Sequence, residues 1–276
     1  MLDAARLKER AKHLGIDLVG IAPIERFGNV EDEEHPQSIN PDTKSVIVLG
    51  FQLTRGSLRG VEEGTAWHTM TAGNPIHPMI MVELTYLLTR WIEMQGWEAT
   101  PVFPHPKEMK RQGLQAHPNR PAPDVILNMD YAAHAAGLGR MGIGKFFLTH
   151  QFGPRQVFCA ILTDAATDQY DAVAERTVCD ECGECVRACP MGAYAQDRFT
   201  TLALCEGEAS WHLLKVDHCL VCSTGKVANP YIPNAEPWRV GAACGRACVA
   251  HLEDQGLLAT RFVHPFRSQH KTQGTA

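Results

Sequence analysis

Apolar residues in the first half of the chain switch between helical and extended spacing. In LKERAKHLGIDLVGIAPI, Leu7, Ala11 and Leu14 recur at intervals of four and three before Gly15, which predicts a helix closed by a glycine and then the strand DLVGIA. The run SVIVLGF at 45–51 is continuous and β-branched, as expected of a strand covered on both faces. Residues 78–96 predict a long helix ending at Gly96, with WEATPVF as the next strand. DYAAHAAGLG predicts a short helix stopped by glycine, and VFCAILTD at 157–164 a further buried strand. Two stretches lack periodicity: the acidic segment 31–43, and 104–123, whose five prolines and four basic residues predict an extended loop. Helices alternating with short buried strands give an α/β class for the body. From about residue 175 the texture changes to short pieces punctuated by cysteine. The expected division is a body over 1–172, a cysteine-rich module over 173–255 and a mobile tail over 256–276.

A chain of 276 residues that is 45% apolar can bury one large core or two modest ones, and it is neither disordered nor collagen-like. No stretch approaches the roughly 18 uninterrupted apolar residues of a membrane span. The start, MLDAARLKERAKH, has neither the apolar core of a secretory signal nor a twin-arginine pair. A formal net charge of −5 gives no basic footprint for nucleic acid. The expectation is a cytoplasmic protein without membrane or nucleic-acid partners.

The cysteines change the picture. None lies in the first 158 residues, and nine of the ten fall between Cys179 and Cys248. A disulfide framework belongs to short secreted chains, so clustered thiols here point to metal or redox chemistry. CDECGECVRACP at 179–190 is C-x2-C-x2-C-x3-C-P, in which three thiolates meet one iron–sulfur cubane and the fourth points to a second. Structural zinc normally takes two separated C-x2-C knuckles, which fits this spacing poorly. Downstream lie Cys205, Cys219, Cys222, Cys244 and Cys248, and the Cys244–Cys248 step repeats the Cys185–Cys189 step. The spacing assigns Cys179, Cys182, Cys185 and Cys248 to one [4Fe–4S] cluster, and Cys189, Cys219, Cys222 and Cys244 to the other. Cys205 is the spare and an alternative to Cys219. No proline follows Cys248, and 21 residues separate Cys222 from Cys244, so a chain that has lost its second cluster is the competing reading. Cys159 sits in an apolar strand and reads as core.

The segment AGLGRMGIGKFFLTHQFGPR at 136–155 is rich in glycine, yet its spacing is neither a Walker A loop nor a dinucleotide fingerprint. This segment, the strand ILTD and the cysteine run that follow resemble the corrinoid-dependent reductases, namely reductive dehalogenases and epoxyqueuosine reductase. The opening A-x-x-LG-x-D-x-VGIA is similar to the start of the latter. The resemblance implies a nitroreductase-like α+β body, a C-terminal ferredoxin-like module with two [4Fe–4S] clusters, and cobalamin held base-off. By position, Gly137, Leu138, Gly139, Gly142, Lys145, Thr149, Phe152 and Gly153 would lie along the corrin. The same resemblance implies a proton donor, for which Asp124 stands one residue from the matching place, and Tyr131 with Lys145 is the alternative pairing. His68 and His77 lie in a stretch that could line a pocket. The implied function is reduction of a small organic substrate, an organohalide or an epoxide, with electrons from an external ferredoxin, flavodoxin or reductase reaching cobalt as Co(I). The alternative is an electron-transfer or corrinoid-handling protein without substrate turnover.

Overall fold

A computed structural model of the chain describes residues 1–106, 109, 114–115, 117–175 and 177–267, with only the backbone for 71–78. The sequence-predicted helix α1 is Ala4–Leu14, started by the Asp3 side chain accepting from the Arg6 N–H and ended by Gly15 in the left-handed region at φ 91°. It leads into β1 (Leu18–Pro23), then α2 (Pro36–Ile39), β2 (Ser45–Gln52), α3 (Arg55–Glu62) and α4 (His68–Glu93). Helix α4 begins about ten residues earlier than the sequence suggests, because Gly73, Pro75 and Pro78 read as breakers but lie within it. His68 thus opens a helix, and the side chain of His77 lies outside the described residues. After β3 (Ala99–Val102), the start of the expected 104–123 loop is followed by several residues outside the description. The body continues through α5 (Met129–Ala135), the short β4 (Arg140–Met141) and β5 (Phe147–Leu148), and β6 (Gln156–Thr163).

The central sheet has the order β1-β2-β6-β3, and every pairing is antiparallel. Both faces are covered, which explains the uninterrupted apolar runs of β2 and β6. Side chains alternate strictly. Ile21, Ile47, Leu49, Cys159 and Ile161 pack against Leu7, Ala11, Leu88 and Ile92 of α1 and α4. Val46, Val48, Ala160 and Leu162 face the other way, onto Tyr131, Ala132 and Ala135 of α5.

That second face carries an element the sequence reading missed. Strands β7 (Tyr194–Ala203) and β8 (Glu208–Leu214) form an antiparallel hairpin inserted between Cys189 and Cys219. Its residues Leu204, Ala209 and Trp211 belong to the same buried cluster as the sheet. The cysteine-rich half is therefore not packed as a separate unit from the body. It also contains α6 (Glu184–Arg187), α7 (Val216–Leu220) and α8 (Ala243–Asp254).

The expected mobile tail is anchored as far as Arg267. Phe266 is fully buried against Leu58, Val61 and Met70, and Arg59 donates to its carbonyl at 2.6 Å. Arg55 lies 3.7 Å from the Phe262 ring centroid, and Arg267 pairs with Glu62 at 2.7 Å. Apolar residues set between arginines read as a frayed end only until their partners on α3 are seen.

Candidate metal centres and the adjoining charged cluster

Loop 179–184 turns through Glu181, which has φ 58°, and Gly183, with φ 75°. Local hydrogen bonds fix the turn: the Cys179 N–H donates to Thr177 Oγ1 at 3.1 Å and the Cys182 N–H to Asp180 Oδ1 at 3.3 Å. The C-x3-C step is one helical turn, so α8 presents Cys244 and Cys248 along one side. In the Cys185–Cys189 step only Cys185 lies in α6, and Cys189 follows its Ala188 cap.

These elements bring eight cysteines into two groups. Cys179, Cys182, Cys185 and Cys248 line one pocket, together with Gly142, Ile143, Gly144, Phe146 and Leu252. Cys189, Cys219, Cys222 and Cys244 line a second, together with Met191, Tyr194 and Arg239. Cys205 lines neither, since it sits at the hairpin tip against the main core, so it does not take the place of Cys219. Cys159 is buried and bonded to Thr85 at 3.0 Å, a core thiol as expected.

Burial, with Cys179, Cys182 and Cys244 adding to it, pushes the Cys185 thiol up to about 12. Burial likewise pushes Cys219 up to about 12, against the pull of Arg239. Cys248 is raised well above an ordinary thiol by burial and then by Cys185, Cys179 and Cys182. Four crowded thiols that resist ionising together are a donor set that a multiply charged metal centre would reverse.

The glycine-rich segment serves the first cavity. The Gly142 N–H donates to Phe146 O at 2.8 Å and the Lys145 N–H to Gly142 O at 3.0 Å, which folds 142–146 into a tight turn against the thiols. A Cβ on Gly144 would stand 2.5 Å from Cys185 Sγ. The faces that glycine leaves open elsewhere are filled by protein: a Cβ would meet Ala172 O at 2.2 Å from Gly137 and Leu148 O at 2.1 Å from Gly139. Leu138 packs on the main core, and Phe152 is buried within it. Thr149 is fully buried and donates to Gln156 Oε1 at 3.0 Å, and Gly153 packs against Leu252 and Leu258. These residues do not present an open face to a macrocycle.

The expected catalytic residues are dispersed. Tyr131 is 1% exposed, and its hydroxyl donates to Arg26 O at 2.8 Å while its ring packs on Phe27 at 5.5 Å. Burial holds its pKa at about 12, so it is a packing residue and a poor acid. Asp124 is half-buried in the coil before α5. Lys145, at φ 56°, ion-pairs with Glu236, which also binds Arg239 at 3.0 Å. Asp130, in the first turn of α5 and partly buried, lies within electrostatic reach of this cluster. Burial pushes its pKa up to about 6 against the pull of Lys145, with Glu236 adding to the rise and Arg239 opposing it. Glu236 stays below the usual carboxylate range, because Arg239 and Lys145 outweigh the cost of its burial. Asp130, Glu236 and Arg239 carried no sequence signal: each stands outside any motif.

No family model matches the chain, and no curated protein matches it in sequence. Solved structures do. A catabolic reductive dehalogenase aligns with a TM-score of 0.57 at 20% identity, over 88% of this chain and 30% of its own. A reductive dehalogenase structure described as suggesting a mechanism for B12-dependent dehalogenation aligns at 0.56, with 20% identity and the same coverage. Epoxyqueuosine reductase from Streptococcus thermophilus aligns at 0.49 with 13% identity, over 70% of this chain and 54% of its own. The chain thus spans about half the length of the last and under a third of the dehalogenases. Among the described residues no helix is long and apolar enough to cross a membrane. The chain therefore shares its fold with part of the reductive dehalogenase structures.

Proposed function

We propose that the protein is an iron–sulfur oxidoreductase in which Cys179, Cys182, Cys185 and Cys248 hold one [4Fe–4S] cluster and Cys189, Cys219, Cys222 and Cys244 a second. The observation that carries this reading is the separation of eight cysteines into two four-thiol cavities, each drawing one ligand from α8. Each cluster supplies one-electron transfer. A low-potential donor such as a ferredoxin or flavodoxin supplies the electrons, and the acceptor is a small organic molecule. An organohalide takes two electrons and one proton to give the C–H product and halide. An epoxide takes two electrons and two protons to give an alkene and water.

Asp130 is the proposed source of the first proton, in place of Asp124 and Tyr131, since it is partly buried, its pKa is raised to about 6 and it feels the charges of Lys145, Glu236 and Arg239. Lys145 and Glu236 would hold the acceptor's polar group beside it. Cobalamin is the finer reading. Its support is the shared fold with a structure described as B12-dependent, and the residues of 137–153 add none.

The test is anaerobic purification, cluster reconstitution and gel filtration with added cobalamin, reading iron, cobalt and the visible spectrum of the protein peak. About eight irons per chain are expected. About four would leave one cluster only, and zinc in place of iron would overturn the reading. Iron with retained cobalt supports the corrinoid reductase; iron alone makes the protein an electron carrier that docks a partner.

A further inference from the structure

Arg239 is the most buried cation at either cysteine cavity, 5% exposed, and no motif announces it. Its guanidinium donors are all taken by oxygen. Nε reaches Glu236 Oε1 at 3.1 Å, Nη1 reaches Tyr194 Oη at 2.7 Å and Gly144 O at 3.3 Å, and Nη2 reaches Lys145 O at 2.8 Å. Its plane lies 4.6 Å from the Phe146 ring centroid. Arg239 therefore ties the turn that covers Cys185 to the wall of the other cavity, which it lines with Cys189, Cys219, Cys222 and Cys244.

A buried charge is costly unless it is balanced. Glu236 offers one negative charge, and it is shared between Arg239 and Lys145. Lys145, Glu236 and Asp130 stand behind Arg239 and do not line this cavity, so the guanidinium of Arg239 is the charge nearest it. The charged residues lining the other cavity are Asp180 and His251, which pair with each other at 2.7 Å and leave no surplus cation. A [4Fe–4S] centre gains negative charge on reduction, and its potential follows the net charge and polarity around it. A fixed cation beside one centre stabilises that centre's reduced form.

We infer that Arg239 is a positioning residue for electrons: it makes the Cys189/Cys219/Cys222/Cys244 centre the higher-potential one, so that electrons entering at the Cys179/Cys182/Cys185/Cys248 centre gather beside Asp130, Lys145 and Glu236. This rests on the two-cluster reading above, and the experiment separates the two.

The full-length reconstituted protein is titrated with a low-potential reductant and followed by electron paramagnetic resonance. Two reduction waves are expected in the parent protein, and the higher one is assigned to the second centre by its displacement in Cys222→Ser. A single wave in a parent that carries about eight irons overturns the inference, and a single wave with about four irons overturns the two-cluster reading. In Arg239→Gln the higher wave falls by at least a tenfold change in the reduced-to-oxidised ratio at fixed potential, about 59 mV for one electron, while the lower wave holds. In Arg239→Lys it moves much less, because the charge stays. Two parent waves that ignore Arg239→Gln, or equal shifts in the Gln and Lys variants, overturn the assignment of Arg239 alone. If Arg239→Gln does not load iron, Glu236→Gln decides: removing the shared carboxylate raises the same wave, and an unmoved wave overturns the inference.

Discussion

Asp130 illustrates how a single carboxyl takes its chemistry from its surroundings. Its pKa stands at about 6 against 3.8 in an unstructured chain, so the folded protein holds a proton that the unfolded chain has released between those values. Stability therefore falls as pH rises from about 4 through 6, and the loss persists above it. Asp130→Asn removes that loss. The variant is expected to be more stable than the parent by roughly 1–3 kcal/mol above neutrality, with a smaller gain near pH 5, as read by urea unfolding at both. The same substitution should abolish any limb of the turnover profile that rises as pH falls through about 6. Nothing in NMDYAA marks this aspartate, since its pKa comes from burial and from charges on Lys145, Glu236 and Arg239, which are distant in sequence. The eight cysteines were legible for the opposite reason: thiol ligation imposes a spacing, and the C-x3-C steps state in sequence the turn that the structure builds. The glycines of 137–153 were legible as close-approach positions but not by what they approach. A glycine records that something comes near, and here it is the protein's own carbonyls and thiols.

At the scale of elements, the sheet strands were read correctly because burial on both faces leaves an unbroken apolar run, and α1 because Asp3 and Gly15 mark its ends. The β7–β8 hairpin is hard to see in sequence, although FTTLAL and ASWHLL flank a turn at Gly207, because β7 is mostly exposed and polar and lies between ligand-spaced cysteines. Its contribution is testable. Trp211 is 8% exposed and packs with Leu204 and Ala209 into the main core. Trp211→Ala is expected to cost about 3–5 kcal/mol, measured by urea unfolding of the iron-loaded protein. A loss below about 1 kcal/mol would mean that the hairpin lies on the body without supporting it.

For the whole molecule, the interleaving of the two halves predicts that residues 1–172 do not fold alone. That fragment would leave the face of Val46, Val48 and Leu162 without the hairpin that covers part of it. It should give poorly dispersed proton NMR signals and a broad thermal transition, whereas a cooperative melt would show the body to be autonomous. A further consequence lies in α8. Cys244 and Cys248 are four residues apart on one rigid rod, which sets their Cα atoms about 6 Å apart along its axis. Cys185 lies in α6, which packs against that rod, and Cys189 follows just past the cap of α6. With the two clusters proposed above in place, a single rigid helix that ligates both fixes the distance between them. Exchange between them would then be as indifferent to solvent viscosity as a reaction inside a crystal, and any gating would have to act where electrons enter or leave.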